Sequence, residues 1–203
     1  MNGSAPIEFV RTLAPEEAAR ANFYGLLARL FQAPPDPALL EALASADEMA
    51  AETDAVAAAW RDLSRAAAEA DPQAVREEYD AAFIGTGKAP VTLYAGAYSI
   101  RFTNEAPLAE LRGELARLGL GRRTEISEPE DHIAALCEVM RYLISEEKAD
   151  LIVQQRFFSR WIWPNAGPLC DAIGESPLTA FYRSVARLAN SFFELEKSAF
   201  EML

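Results

Sequence analysis

Glu128-Pro129-Glu130-Asp131-His132 is the densest cluster of reactive side chains in the sequence. It packs three carboxylates and the chain's single histidine into about one helical turn. Ordinary capping accounts for Glu128 and Glu130, because Ser127 and Glu130 have capping-box spacing and carboxylates are stabilised at a helix start. It accounts less well for Asp131-His132, since His132 falls one turn before Leu136, beside an apolar stripe. Catalysis here would need a nucleophile or a metal nearby, and the sequence supplies neither convincingly. Recognition needs only a carboxylate facing a groove and an imidazole able to donate or accept. A binding site is the better expectation.

Other reactive groups are sparse. His132 alone cannot furnish the paired histidines of an H-E-x-x-H zinc site or of a di-iron centre. Cys137, Cys170 and His132 together would leave a zinc ion one protein ligand short, and no CxxC spacing is present. No metal and no cofactor is therefore expected. Two cysteines build no disulfide framework, which points to a reducing compartment. Gly85-Thr86-Gly87-Lys88 looks like the end of a phosphate-binding loop, but Ala82 and Ala89 stand where a Walker motif needs Gly and Ser or Thr. A glycine C-cap after a helix is the simpler reading. A nucleotide-binding regulator using that turn remains the alternative, as does a structural subunit without a peptide client.

Aromatic side chains form the third group. Tyr79, Phe83, Trp161, Trp163, Phe181 and Tyr182 sit at helical spacings that usually mean core. Tyr94 and Tyr98 lie outside any long amphipathic helix, and loop tyrosines give an apolar wall with a polar tip, suited to a peptide groove.

The elements that must position these groups read as helices. Apolar residues recur at three and four from Pro15 to about Phe31, and APPDP (residues 33–37) stops that run. Two Ala-rich helices follow, carrying Leu39, Leu40 and Leu43, then Val56, Trp60, Leu63 and Ala67. Asp71-Pro72 restarts the chain as N-cap and first helical residue, with Val75, Tyr79 and Phe83 on one face. Residues 85–102 are expected to be an ordered loop with at most one helical turn. Leu108, Leu111, Leu115 and Leu118 mark the next helix, and Ile133, Leu136, Met140 and Leu143 the one opened by Ser127. A helix from about Ala149 to Trp163 should end at Pro164, with a short one over Gly167–Ile173. Ser176-Pro177 should open the last, with Leu178, Phe181, Val185, Leu188, Phe192 and Leu195 inward. The expectation is an all-α, single-domain bundle of about nine helices over 1–203, with loop or hinge regions at 85–102 and about 119–128.

Composition narrows the function. The 203 residues are 51% hydrophobic, enough for a real core, and 19 basic against 31 acidic side chains give a net charge of −12. That balance opposes nucleic acid, whose phosphates demand a concentrated basic surface, and anionic membranes. It favours cationic partners. The N-terminal segment lacks a basic stretch leading into an apolar run, and no window has 18 uninterrupted apolar residues, so a cytoplasmic protein without membrane insertion is expected.

Tyr79-x-x-x-Phe83-x-Gly85, the Pro90–Tyr98 loop, the Glu-Pro-x-Asp-His pentapeptide at 128–132, the Trp161 helix and Pro177 with Phe181-Tyr182-Arg183 together resemble the TorD/DmsD/NarJ-type redox-enzyme maturation chaperones. The likeness spans about Asn22 to Phe193. The loop departs from the family's frequent Pro-aromatic-x-Ser-x-aromatic pattern, reading Leu93-Tyr94-Ala95-Gly96-Ala97-Tyr98. The resemblance implies an all-helical cytoplasmic chaperone rather than an enzyme. Such proteins bind the N-terminal leader, a twin-arginine signal peptide or its equivalent, of a molybdenum oxidoreductase and hold the apoenzyme until its molybdopterin cofactor is inserted. It also implies a monomer or a domain-swapped dimer, and weak guanine-nucleotide binding. On this reading Asp131, with Glu128 or Glu130, pairs with leader arginines through charge-assisted hydrogen bonds, and His132 orients Asp131. Tyr79, Phe83, Tyr94 and Tyr98 contact the leader's apolar stretch, with Pro129 and Trp161 completing the site.

Overall fold

Asp36 and Asp71 show how local chemistry starts these helices: each is followed by proline at the first helical position and accepts a backbone amide of the first turn. The computed structural model describes residues 13–47, 54–85, 89–98, 106–121, 129–145 and 150–203. Among these, α1 covers Pro15–Gln32, α2 Pro37–Ala44, α3 Asp54–Ala68, α4 Pro72–Tyr79 and α5 Ala106–Arg117. They are followed by α6 Ile133–Ser145, α7 Leu151–Phe157, α8 Trp163–Glu175 and α9 Phe181–Phe200. A π-turn at Phe158–Ile162 joins α7 to α8 without a break, so the nine segments make eight rods among the described residues. The fold is all-α, and the described residues hold no strand beyond one isolated bridge between Tyr94 and His132.

The buried side chains form one contiguous hydrophobic cluster. Its centre is α1, whose Tyr24, Leu27, Leu30 and Phe31 are fully buried, against Tyr182, Phe192 and Phe193 of α9. Each such side chain contributes about 1.5–3 kcal/mol by leaving water. The last carbonyls of a helix lack intrahelical donors, and the prolines after α1 supply none. Tyrosines from elsewhere do so: the Tyr182 hydroxyl donates to the Leu30 carbonyl at 3.0 Å and Tyr79 to that of Phe31 at 3.1 Å. Small residues face each other across α1 and α6, with Ala21, Ala28 and Ala134 buried between them. Gly25 on α1 lies so close to Arg141 that a Cβ would stand 2.9 Å from its Cδ.

Several sequence expectations need correcting. Pro164 does not end a helix, because the π-turn before it leaves Pro164 in the first turn of α8, where no amide donor is needed. The short helix expected at Gly167–Ile173 is therefore part of α8. The last helix begins at Phe181 rather than at Ser176-Pro177, and Leu178 is 42% exposed instead of inward. Ser176 and Thr179 instead form a tight turn, with the Thr179 hydroxyl donating to the Ser176 and Ile173 carbonyls. Ser127 lies outside the described residues; Glu130 and Asp131 stand in a turn, and α6 starts only at Ile133. Gly85 closes the π-turn Asp80–Ile84 with φ 60°, a conformation glycine adopts without penalty. Of the two expected loop regions, residues 89–98 are ordered around a single 3-10 turn at Ala95–Ala97.

Candidate functional site

The site is organised by backbone pairing between two segments that the sequence separates by over thirty residues. Ile133 donates its amide to the Leu93 carbonyl at 2.9 Å, and Ala95 donates to the Asp131 carbonyl at 2.9 Å. Between these bonds lies the Tyr94–His132 bridge, and the two rings meet edge to face with centroids 5.2 Å apart. His132 is buried, and its Nδ1 accepts the Ala134 amide at 3.2 Å, which assigns the ring proton to Nε2 in the neutral form. The Asp131 carboxylate turns the other way. Its Oδ2 accepts the Gly96 amide at 3.2 Å and so caps the 3-10 turn.

Two concavities flank this junction. The larger, about 980 Å³, is a groove between α1 and α6 lined mainly by apolar atoms. Gly25, Leu26, Ala135 and Val139 line it, and Pro129, Glu130 and His132 close one end. The small residues of the facing helices create the groove, since each removes side-chain volume from the contact. Its rim carries both signs: Arg141 pairs with Glu138 at 2.8 Å, and Glu130 accepts from Arg112 at 3.0 Å. The smaller cavity, about 220 Å³, lies below the 3-10 turn and is lined by Ala95, Gly96, Asp131, Trp161 and Asn165 among others.

The sequence-selected residues thus divide into three places. Pro129, Glu130 and His132 border the groove, and Asp131 and Trp161 meet at the smaller cavity. Tyr94 packs on His132, while the half-buried Tyr98 donates its hydroxyl to the Thr92 carbonyl at 2.8 Å, within the loop. Burial raises the Tyr98 pKa above its ordinary value. Tyr79 and Phe83 line neither concavity; both are buried and pack against Tyr182, with centroids 5.6 and 4.9 Å away. Glu128 lies outside the described residues. At Trp161 the indole donates to Glu114 at 2.8 Å, and Arg160 stacks over the ring at 5.0 Å.

The sequence reading missed Glu114, Asn165 and the whole α1 wall of the groove. Glu114 sits three residues after Leu111, at the edge of a stripe, where a glutamate is read as solvated. The available signal was Trp161, because a buried indole N–H needs an acceptor. Among the described residues no group of three or more His, Cys, Asp or Glu could hold a metal ion. Burial pushes the Cys170 thiol up to about 12 and Cys137 higher still, so neither is a ready ligand or nucleophile. The element before Gly85 is helical, which is not the strand a phosphate-binding loop requires. No described helix is long and apolar enough to cross a membrane.

Comparison with known proteins adds one finding. A family model described as nitrate reductase delta subunit matches residues 47–171, well over half of the chain and including α3 to α7 and the 128–132 pentapeptide. No curated protein matches the chain.

Proposed function

For a chain that belongs to the nitrate reductase delta subunit family, a family of redox-enzyme maturation chaperones, we propose a specific role as a cytoplasmic, non-enzymatic holder of a molybdenum oxidoreductase catalytic subunit. The client is held by its N-terminal leader while the apoenzyme awaits its molybdopterin cofactor. The observation that carries this reading is the groove between α1 and α6. Its volume of about 980 Å³ suits an apolar peptide segment, and its lining is mainly apolar, with Gly25, Leu26, Ala135 and Val139 in its walls. Pro129, Glu130 and His132 close its end, so the groove runs up to the acidic turn. The protein's net charge of −12 draws in a leader with a cationic start, and the groove buries the apolar part that follows.

Calorimetry with a synthetic leader of the client's catalytic subunit tests the role. Ala135→Trp places an indole in the groove at a half-buried position, and affinity should fall at least tenfold in a protein with an unchanged helical spectrum. Full affinity in that folded variant would remove the groove from the binding site.

A further inference from the structure

The smaller cavity holds a feature that packing does not explain. Asn165 is 1% exposed, and its Oδ1 makes no hydrogen bond among the described residues, while its Nδ2 donates to the Trp161 carbonyl at 3.1 Å. That donor bond fixes which end of the amide is oxygen. Leaving a buried amide oxygen unmet is costly, and native proteins rarely do it without a reason. Asn165 and Asp131 line the same cavity, and a carboxylate offers about four acceptor positions, of which the Gly96 amide fills one. The cavity therefore presents an unpaired neutral acceptor and an anionic acceptor to whatever enters. Pro107, Leu108, Leu111 and Leu136 supply apolar contact for a stem.

We propose that this cavity, bounded by Asp131 and Asn165 beneath the 95–97 turn, is a guanidinium site that takes an arginine side chain of the client leader. Acceptors without a competing donor call for a ligand rich in N–H groups, and the negative carboxylate calls for a cation. Guanidinium meets both needs, being planar with five donors, and its methylene stem suits the leucines around it. Lysine brings three donors on a strongly hydrated point charge, and fits an amide oxygen and a carboxylate at once less well. The π-turn at Phe158–Ile162 contributes to the geometry. It adds a residue to one helical turn, so the face presented by α8 is rotated by about 100° relative to α7. Asn165 is a specificity-determining residue in this scheme, and the identity of the arginine's owner rests on the leader-binding role proposed above.

A double-mutant cycle on the full chain tests it. The wild type, Asn165→Leu and Asp131→Asn are titrated with the leader peptide and with leaders whose arginines are replaced singly by glutamine. One replacement should cost the wild type about tenfold or more in affinity but cost the Asn165→Leu protein less than threefold. Asp131→Asn keeps an acceptor for the Gly96 amide, so its turn stays capped while its affinity for the arginine leader falls. In parallel, the Asn165 side-chain amide signals are followed by nuclear magnetic resonance during titration with methylguanidinium, with methylammonium as control. Selective shifts with methylguanidinium that vanish in Asp131→Asn support the site. Equal arginine dependence in wild type and Asn165→Leu, or no methylguanidinium response, overturns it while leaving leader binding intact. A protein that responds to methylguanidinium yet binds no leader keeps the guanidinium site and loses the client reading.

Discussion

Glu78 caps a helix to which it does not belong: one carboxylate oxygen accepts the Phe181 amide at 3.0 Å and the other the Tyr182 amide at 2.8 Å. Ala180, the residue before α9, has no side chain able to do this. An anion at this position also faces the positive end of the helix dipole. Glu78→Ala should therefore cost about 1–2 kcal/mol in urea unfolding, the range for losing a cap. Protection against hydrogen exchange should drop first in the opening turn of α9. A loss spread evenly along α9 would show that the cap does not act locally.

The Arg20–Glu196 pair is a second long-range tie. Arg20 grips both Glu196 oxygens at 2.6 and 2.8 Å, Tyr24 donates to the same carboxylate at 3.0 Å, and Arg20 also reaches Gln154 at 3.1 Å. Glu196 is buried, so removing the guanidinium strands a carboxylate away from water. Arg20→Ala is expected to destabilise by about 3–5 kcal/mol. The double variant Arg20→Met with Glu196→Leu should recover much of that loss. Equal damage in the single and double variants would mean that shape, not charge, sets the cost.

Gly96 and Asp131 sit too close for any side chain on the glycine. A Cβ there would meet Asp131 Oδ2 at 2.8 Å. Gly96→Ala must push the carboxylate off the Gly96 amide, costing about 1–2 kcal/mol of stability. The fold should survive, and leader affinity measured by calorimetry should change with it. Unaltered stability and affinity together would show that the carboxylate relaxes freely.

Alkaline pH should unfold the protein early. The Cys170 thiol is pushed up to about 12 and Cys137 further by burial, as are the Tyr24 and Tyr182 phenols relative to their ordinary values. Above pH 9 the unfolded chain releases thiol protons that the native chain keeps. The native state then binds more protons, so stability is complete below pH 9 and falls as pH rises towards 12. Each buried thiol contributes a slope of about 1.4 kcal/mol per pH unit, and the tyrosines steepen it beyond pH 10. Urea midpoints from pH 8 to 10.5 should fall less in Cys137→Ala with Cys170→Ala. An identical pH profile in that variant would assign the effect elsewhere.

What the sequence disclosed and what it withheld follow the range of the interactions. Periodicity located the inward faces of α2, α3 and α6, because those faces depend on residues three or four apart. Asp71-Pro72 and Gly85 marked element ends through their own backbone preferences. The start of α9 was misplaced because its cap comes from Glu78, a residue 103 positions before Phe181. Pro164 misled for a related reason, since only the π-turn makes it a first-turn proline. At the site the pentapeptide was visible as chemistry, but its division between two cavities was not. That division depends on the pairing of residues 93–95 with 131–133, which no local pattern announces.

The Asp131–His132 junction has one more consequence. Asp131 faces the smaller cavity, whereas Glu130 and His132, its immediate neighbours, face the groove. A client segment that fills both must cross a partition one residue thick, held rigid by paired backbone on each side. On the proposed leader-binding role, the protein would work as a ruler. It would admit segments in which a basic residue and the first apolar anchor stand a fixed number of positions apart, whatever the residues between them.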